Sequence, residues 1–280
     1  MDYIKPNQLV EDVAHAGAYK STLGIKEILI KGILSGAFLG FATTLAYTAT
    51  IETNLSIIGA FVFPVGFVLI LLLGLELVTG NFAMLPLARL RGLTTSKNIG
   101  YNFFWAFTGN LLGSLLYGVL FYITATKLGH LTDGPMIEKI ISVAEGKTLA
   151  YKSLGGEGVI IAVTKAILCN WMVTLGAFMA FVSSSTIGKI AAMWLPVFLF
   201  FAHGFEHAVV NMFVIPTAIF MGADITLGDW WLWNQLPVTI GNFVGGFIFT
   251  GLALHLVNKK KNPVTNLETN QLTVLKEKSL

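Results

Sequence analysis

One pattern occurs twice in this chain, and it constrains the fold more than any other feature. Gly74-Leu-Glu76-Leu-Val-Thr79-Gly-Asn81-Phe-Ala-Met-Leu-Pro86 and Gly204-Phe-Glu206-His207-Ala-Val-Val-Asn211-Met-Phe-Val-Ile-Pro216 both read G-x-E-x4-N-x4-P without a gap, 130 residues apart. Gly109-Asn110-Leu-Leu-Gly113 pairs with Gly241-Asn242-Phe-Val-Gly245, and Pro64 with Pro196, each 132 apart. Lys31-Gly-Ile-Leu pairs with Lys165-Ala-Ile-Leu at 134. Four matches in order at a nearly constant offset describe a duplicated unit.

The setting of the repeat is apolar. Of 280 residues 55% are hydrophobic and 12% charged, with a mean hydropathy of +0.73. A soluble domain carries about 25% charged residues. A net charge of +3 and scattered basic residues exclude a nucleic-acid module, and one cysteine excludes a disulfide framework or a multi-thiolate metal site. Six stretches approach the roughly 20 apolar residues of a membrane span: about 28–49, 57–90, 103–126, 159–182, 190–220 and 236–257. The second and fifth are too long for one simple span, and the Gly-Glu-Asn motif interrupts each. The expected fold is an all-α membrane protein of six transmembrane helices in two three-helix repeats. Three is odd, so the repeats are inverted. Inverted repeats with broken helices build channels and transporters whose site lies at the repeat interface near the midplane.

The expected layout is a single membrane domain over 1–280. A cytoplasmic N-terminal segment, 1–27, precedes the first repeat, 28–126. An external loop, 127–158, leads to the inverted second repeat, 159–257, and a cytoplasmic tail, 258–280. Residues 1–25 are polar and lack the apolar core of a cleavable signal. Arg89, Arg91 and Lys97 between spans two and three, with Lys259, Lys260 and Lys261 after span six, place both termini in the cytoplasm of an inner membrane. Asp224 and Asp229 mark the opposite side, and Trp230, Trp231 and Trp233 read as an interfacial anchor before the last span.

Ionisable residues at membrane depth are costly and mark function by default; here they are Glu76, Lys165, His203, Glu206 and His207. Glu76 and Glu206, with Asn81 and Asn211, read as structural, the carboxylates accepting bonds from backbone N–H groups freed at the breaks; direct contact with substrate is the alternative. His207 has Leu77 as its repeat mate and so breaks the symmetry at a group that titrates near neutrality; a neutral histidine satisfied by backbone is the plainer reading. Lys165 either raises the local potential for anions or pairs with a break glutamate. A pair of merely kinked helices without a pore needs neither the acid nor the asparagine. His203-Gly-Phe-Glu206-His207 also matches H-x-x-E-H, an inverted zinc-protease signature. The further carboxylate ligand has only Asp224, Asp229, Glu268 and Glu277 as downstream sources, and the first repeat has the Gly and Glu without either histidine. The expectation is therefore no metal, no cofactor and no catalysis, with a membrane zinc protease as the enzyme alternative.

Glu76-Leu-Val-Thr79-Gly-Asn81, Cys169-Asn170-Trp171, Gly204-Phe-Glu206-His207 with Asn211-Met212, and Pro237-Val-Thr-Ile-Gly241-Asn242 together resemble the formate/nitrite transporter family, from the first span to the last. The resemblance implies an aquaporin-like fold, a homopentamer in the lipid bilayer and a pore for small monovalent anions in each protomer. It implies Thr79, His207 and Asn170 as pore residues. It groups Phe63, Phe67 and Phe200 as one apolar constriction and Leu77, Val78 and Val173 as the other. Lys165 resembles the lysine of nitrite- and hydrosulfide-type members. Two positions depart: the family commonly has Phe where Val78 stands, and a small residue where His203 stands. Formate, carried with a proton, is the expected substrate, with nitrite or hydrosulfide as the alternative. A bare anion crosses an apolar constriction only at high cost, whereas the neutral acid does not. Lys165 and the backbone N–H groups at the breaks would attract the anion, and His207 and Thr79 would hydrogen-bond it and supply or relay the proton. An aquaporin-type channel would carry Asn-Pro-Ala signatures, which this chain lacks. An ammonium-type channel pairing His203 with His207 usually has more spans.

Overall fold

The computed structural model describes residues 2–258; Lys259, Lys260 and Lys261 lie outside the described residues. The first repeat comprises α1 (Pro6–Lys20), α2 (Ile25–Thr53), α3 (Ser56–Val62), α4 (Pro64–Leu72), α5 (Val78–Leu90) and α6 (Ser96–Ala125). Then come α7 (Pro135–Lys147) and α8 (Leu149–Ser153), in the segment read from sequence as an external loop. The second repeat continues with α9 (Gly156–Met179), α10 (Thr186–Ala202) and α11 (Ala208–Phe220). Last is one continuous helix made of α12 (Leu227–Trp230), α13 (Leu236–Gly246) and α14 (Ala253–Val257), joined by π-helical turns at Trp231–Gln235 and Phe247–Leu252. Among the described residues the one extended pairing is an antiparallel bridge between Tyr3 and Ser183.

Among the described residues four helices are long and apolar enough to cross a membrane: α2, α6, α9 and the composite Leu227–Val257. Three shorter apolar helices, Ser56–Leu72, Thr186–Ala202 and Ala208–Phe220, flank the interruptions. The last helix starts nine residues before the apolar stretch at 236, and Trp230 is buried inside it, its indole N–H bonded to Gln235 Oε1 at 3.1 Å. It is not an exposed anchor.

Small residues let the long helices touch backbone to backbone. A Cβ at Gly32 would lie 3.0 Å from the Gly109 Cα, and side chains at Gly36 and Gly113 would collide with the Asn110 and Ile33 carbonyls. In the second repeat Gly241 and Gly245 hold α13 against the Val163 and Ile167 carbonyls of α9. Among lipid tails this van der Waals contact replaces the hydrophobic drive of a soluble core.

The repeat is larger than three spans. α1 and α7 both open on proline, both end in lysine, and pack on the half-helices α5 and α11 respectively. Hydrogen bonds from Ile4 to Val182, from Thr94 to Ser21 and from Arg91 to Asn258 gather the N-terminal residues, the 91–95 loop, the 182–184 loop and the end of the last helix at one end.

The backbone contact makes a directional expectation. Gly113→Leu should lower the thermal midpoint in detergent sharply, since overpacking costs about 1–3 kcal/mol or more. Gly100→Leu, with nothing within 4 Å of its Cβ, should leave it unchanged or raise it. Equal midpoints in differential scanning fluorimetry would refute close helix contact.

Candidate functional site

The site forms where the two interruptions face each other. Gly74 and Gly204 take φ of +62° and +64°, a left-handed turn that only glycine adopts without strain, and stop α4 and α10. Four residues later the chain re-enters helix at Val78 and Ala208. The first N–H of each new helix has no intrahelical acceptor, and in an apolar medium that is costly. Asparagines supply the missing bonds. Asn110 Oδ1 accepts the Val78 N–H at 2.9 Å while its Nδ2 donates to the Glu76 and Gly32 carbonyls at 2.8 and 3.0 Å. Asn242 does the same for Ala208 (2.9 Å), Glu206 (2.9 Å) and Ala166 (2.8 Å).

The glutamates take their bonds from side chains, not from the freed backbone N–H groups. Glu76 accepts from Lys20 Nζ at 2.5 Å, Asn81 Nδ2 at 2.7 Å and Asn102 Nδ2 at 3.2 Å. Glu206 accepts from Lys147 Nζ at 2.9 Å, Asn211 Nδ2 at 2.8 Å, Tyr151 Oη at 2.8 Å and Asn234 Nδ2 at 3.3 Å. Asn102 and Asn234 also donate to the Lys20 and Lys147 carbonyls, tying each short helix to its break. Burial, then the Glu206 charge beside it, push the Tyr151 phenol above its ordinary value. These clamps engage both carboxylates fully, so neither faces a substrate as a free acceptor.

Thr79, on the first turn of α5, and His207, the N-cap of α11, bridge the two breaks: Thr79 Oγ1 and His207 Nε2 are 3.0 Å apart and both are buried. His207 Nδ1 accepts the Val210 N–H at 3.2 Å. Nδ1 therefore holds a lone pair, and in the neutral ring Nε2 carries the proton and donates to Thr79. Asn170, on α9, donates to the Thr79 and Asn242 carbonyls at 3.0 and 2.6 Å, and its buried Oδ1 has no hydrogen-bond partner among the described residues.

Of the aromatic residues, Phe63 and Phe200 meet edge to face at 5.7 Å, and Phe200 stacks on His207 at 5.7 Å. Phe67 lies against Gly176, one turn beyond Val173 on α9. Leu77 and Val173 are buried. Val78 is buried and borders a lateral groove between α5 and α6. Above Phe200 and His207 opens a cavity of about 230 Å³ whose wall includes Tyr47, Thr50, Lys139 and Lys147. Lys165 is not in that wall; its Nζ lies 5.9 Å from the centroid of the Tyr151 ring, whose phenol binds Glu206. Its pairing with a glutamate is replaced by Lys20 and Lys147, which the sequence reading missed. The signal was present: both lysines end short helices that start with proline, 127 residues apart.

The H-x-x-E-H residues fall on the extended turn, not on a helix. His203 Nδ1 sits 2.8 Å from the Leu199 carbonyl and the residue is exposed, while Glu206 and His207 face the separate partners given above. The three do not converge on one point, and the zinc-protease reading has no support.

Two interrupted helices meeting break to break inside a helical membrane bundle define an inverted-repeat pore protein. The model of the formate/nitrite transporter family matches residues 7–256, and the chain belongs to that family. It is 35% identical to the formate channel BtFdhC of Bacillus thuringiensis over 94% of this chain and 98% of that one. Its fold superposes on a solved FNT family ion channel with a TM-score of 0.78 at 26% identity, over 89% of this chain and 98% of that one. A pentameric formate channel with formate bound gives 0.67 at 25% identity, over 87% and 98%.

Removing one partner of a buried pair leaves an uncompensated charge and costs about 3–5 kcal/mol. Lys147→Met should therefore destabilise the folded protein by that order, and adding Glu206→Gln should restore most of it. Thermal unfolding of the two single variants and the double variant measures the coupling; strictly additive losses would mean the pair is not coupled.

Proposed function

We propose that this chain is a homopentameric channel of the inner membrane that moves a small monovalent anion, formate, through each protomer together with a proton. Six crossings are counted by taking each interrupted pair of short helices as one span. Both termini then lie in the cytoplasm with Arg89, Arg91 and Lys97. The formate channels among its relatives and the pentameric solved relative support the substrate and the assembly. The observation that carries the reading is the Thr79–His207 hydrogen bond between the breaks, beneath a vestibule with lysines in its wall.

Lys139 attracts the anion to the vestibule, while the charge of Lys147 in the same wall is balanced by Glu206. At the Phe63–Phe200 contact it loses water, the cost of keeping its charge rises, and its pKa rises with it. The carboxylate takes a proton from vestibule water, leaving hydroxide there, and returns it to water on the far side. His207 is not the acid, because its Nε2–H is committed to Thr79 and its Nδ1 caps α11. Its donation leaves the threonine hydroxyl hydrogen for an incoming oxygen, and Asn170 Oδ1 offers an acceptor for the acid's O–H. An imidazolium would turn a second N–H against the Val210 N–H, which argues against conduction past a charged ring.

The test is uptake of labelled formate into liposomes under an imposed pH gradient. Inward flux should rise with an acidic exterior; indifference to the gradient would sink proton coupling. Thr79→Ala and His207→Phe should each cut flux by roughly tenfold, the weight of one hydrogen bond of about 1–1.5 kcal/mol. Unchanged flux in both removes the pair from the mechanism. Competition by nitrite, hydrosulfide, acetate and lactate against the label ranks the substrates.

A further inference from the structure

On the side of α5 turned away from the pore, the half-helix forms the floor of a lateral groove. Val78, Phe82 and Pro86 follow one another at four-residue steps along it. Two adjoining cavities of about 240 and 380 Å³ share Phe103 and run between α6 and α13. Phe82, Phe103 and Phe243 contact one another edge to face across the floor at 5.0 to 6.2 Å. Along α6 the lining runs from Ser96 to Leu111, about 22 Å at 1.5 Å per residue. One leaflet's hydrocarbon is about 15 Å thick, half of a core of about 30 Å.

The two ends of the groove differ. The end near Leu111 and Thr239 carries no charged residue, whereas the other holds Arg89 on the last turn of α5 and Ser96 at the start of the 30-residue α6. Arg89 is exposed, and its guanidinium makes no hydrogen bond or ion pair among the described residues. Lys97, next after Ser96, is also exposed. A free guanidinium beside the N-terminus of a long helix, at the mouth of an apolar channel, is complementary to a phosphate that carries a hydrocarbon chain.

We propose that this groove is a binding site for an anionic phospholipid of the leaflet facing the 91–95 loop, with the phosphate on Arg89 and one acyl chain laid against Phe103, Phe107 and Phe243, over the buried Val78, Phe82 and Pro86. The chain then supports the pore half-helix from behind. This rests on the membrane reading but not on the substrate, and its readout is bound lipid mass, so loss of formate flux does not bear on it.

The experiment is native mass spectrometry of the delipidated protein in detergent, titrated with phosphatidylglycerol or phosphatidylcholine of the same chain length. Wild type should bind the anionic lipid at least fivefold more tightly. Arg89→Gln should bring the two lipids to parity, and Thr108→Trp, which fills the groove, should lower both; the same spectra report whether each variant keeps its assembly. An anionic preference that survives Arg89→Gln, or binding of both lipids that survives Thr108→Trp, overturns the proposal. So does efficient photo-cross-linking from a benzophenone side chain placed at position 108 to a neighbouring copy with no lipid retained, which would assign the groove to a second copy.

Discussion

Breaking a helix where no water can reach it exposes backbone groups that must be paired inside the protein. In this chain Asn110 and Asn242 meet that requirement, each with one carbonyl and one amide bonded to two backbone segments at once. Replacing either with an apolar residue would leave a donor and an acceptor unpaired at the same point. The close approach of α2 to α6 and of α9 to α13 follows from the same need. The asparagines reach Gly32 and Ala166 on the adjacent helices only because small residues bring those backbones near.

Much of this was legible in the sequence because duplication writes a polar constraint twice. The Glu, Asn and Gly positions of the breaks, and Asn110 with Asn242, stood out against an apolar background. Lys20 and Lys147 did not, since a lysine in a polar segment resembles any solvated lysine until a glutamate is seen to need it. α7 was hidden for the same reason: its charges cancel, and sequence alone reads a mixed-charge stretch as a loop. Lys165 stands out by its depth, and in the structure its ammonium lies over the ring of Tyr151, whose phenol binds Glu206.

The departure from symmetry is as informative as the symmetry. The first half-helix begins at Leu77 with no side-chain cap, whereas His207 caps the second through Nδ1 and reaches across with Nε2. One ring holds a helix start and presents a donor to the central gap, and Thr79 is its counterpart from the other repeat. The scaffold is duplicated, and the chemistry at its centre is not.

The paired clamps also have an electrical consequence. At each break one lysine stands against one glutamate, so the buried scaffold there carries no net charge. The membrane potential acts on charge, at about 2.3 kcal/mol per elementary charge per 100 mV. It therefore has nothing to pull on at the two breaks, and a solute that crosses the gap as a neutral acid carries no current. Voltage would neither open such a passage nor drive flow through it, leaving concentration and pH as the forces that set its direction.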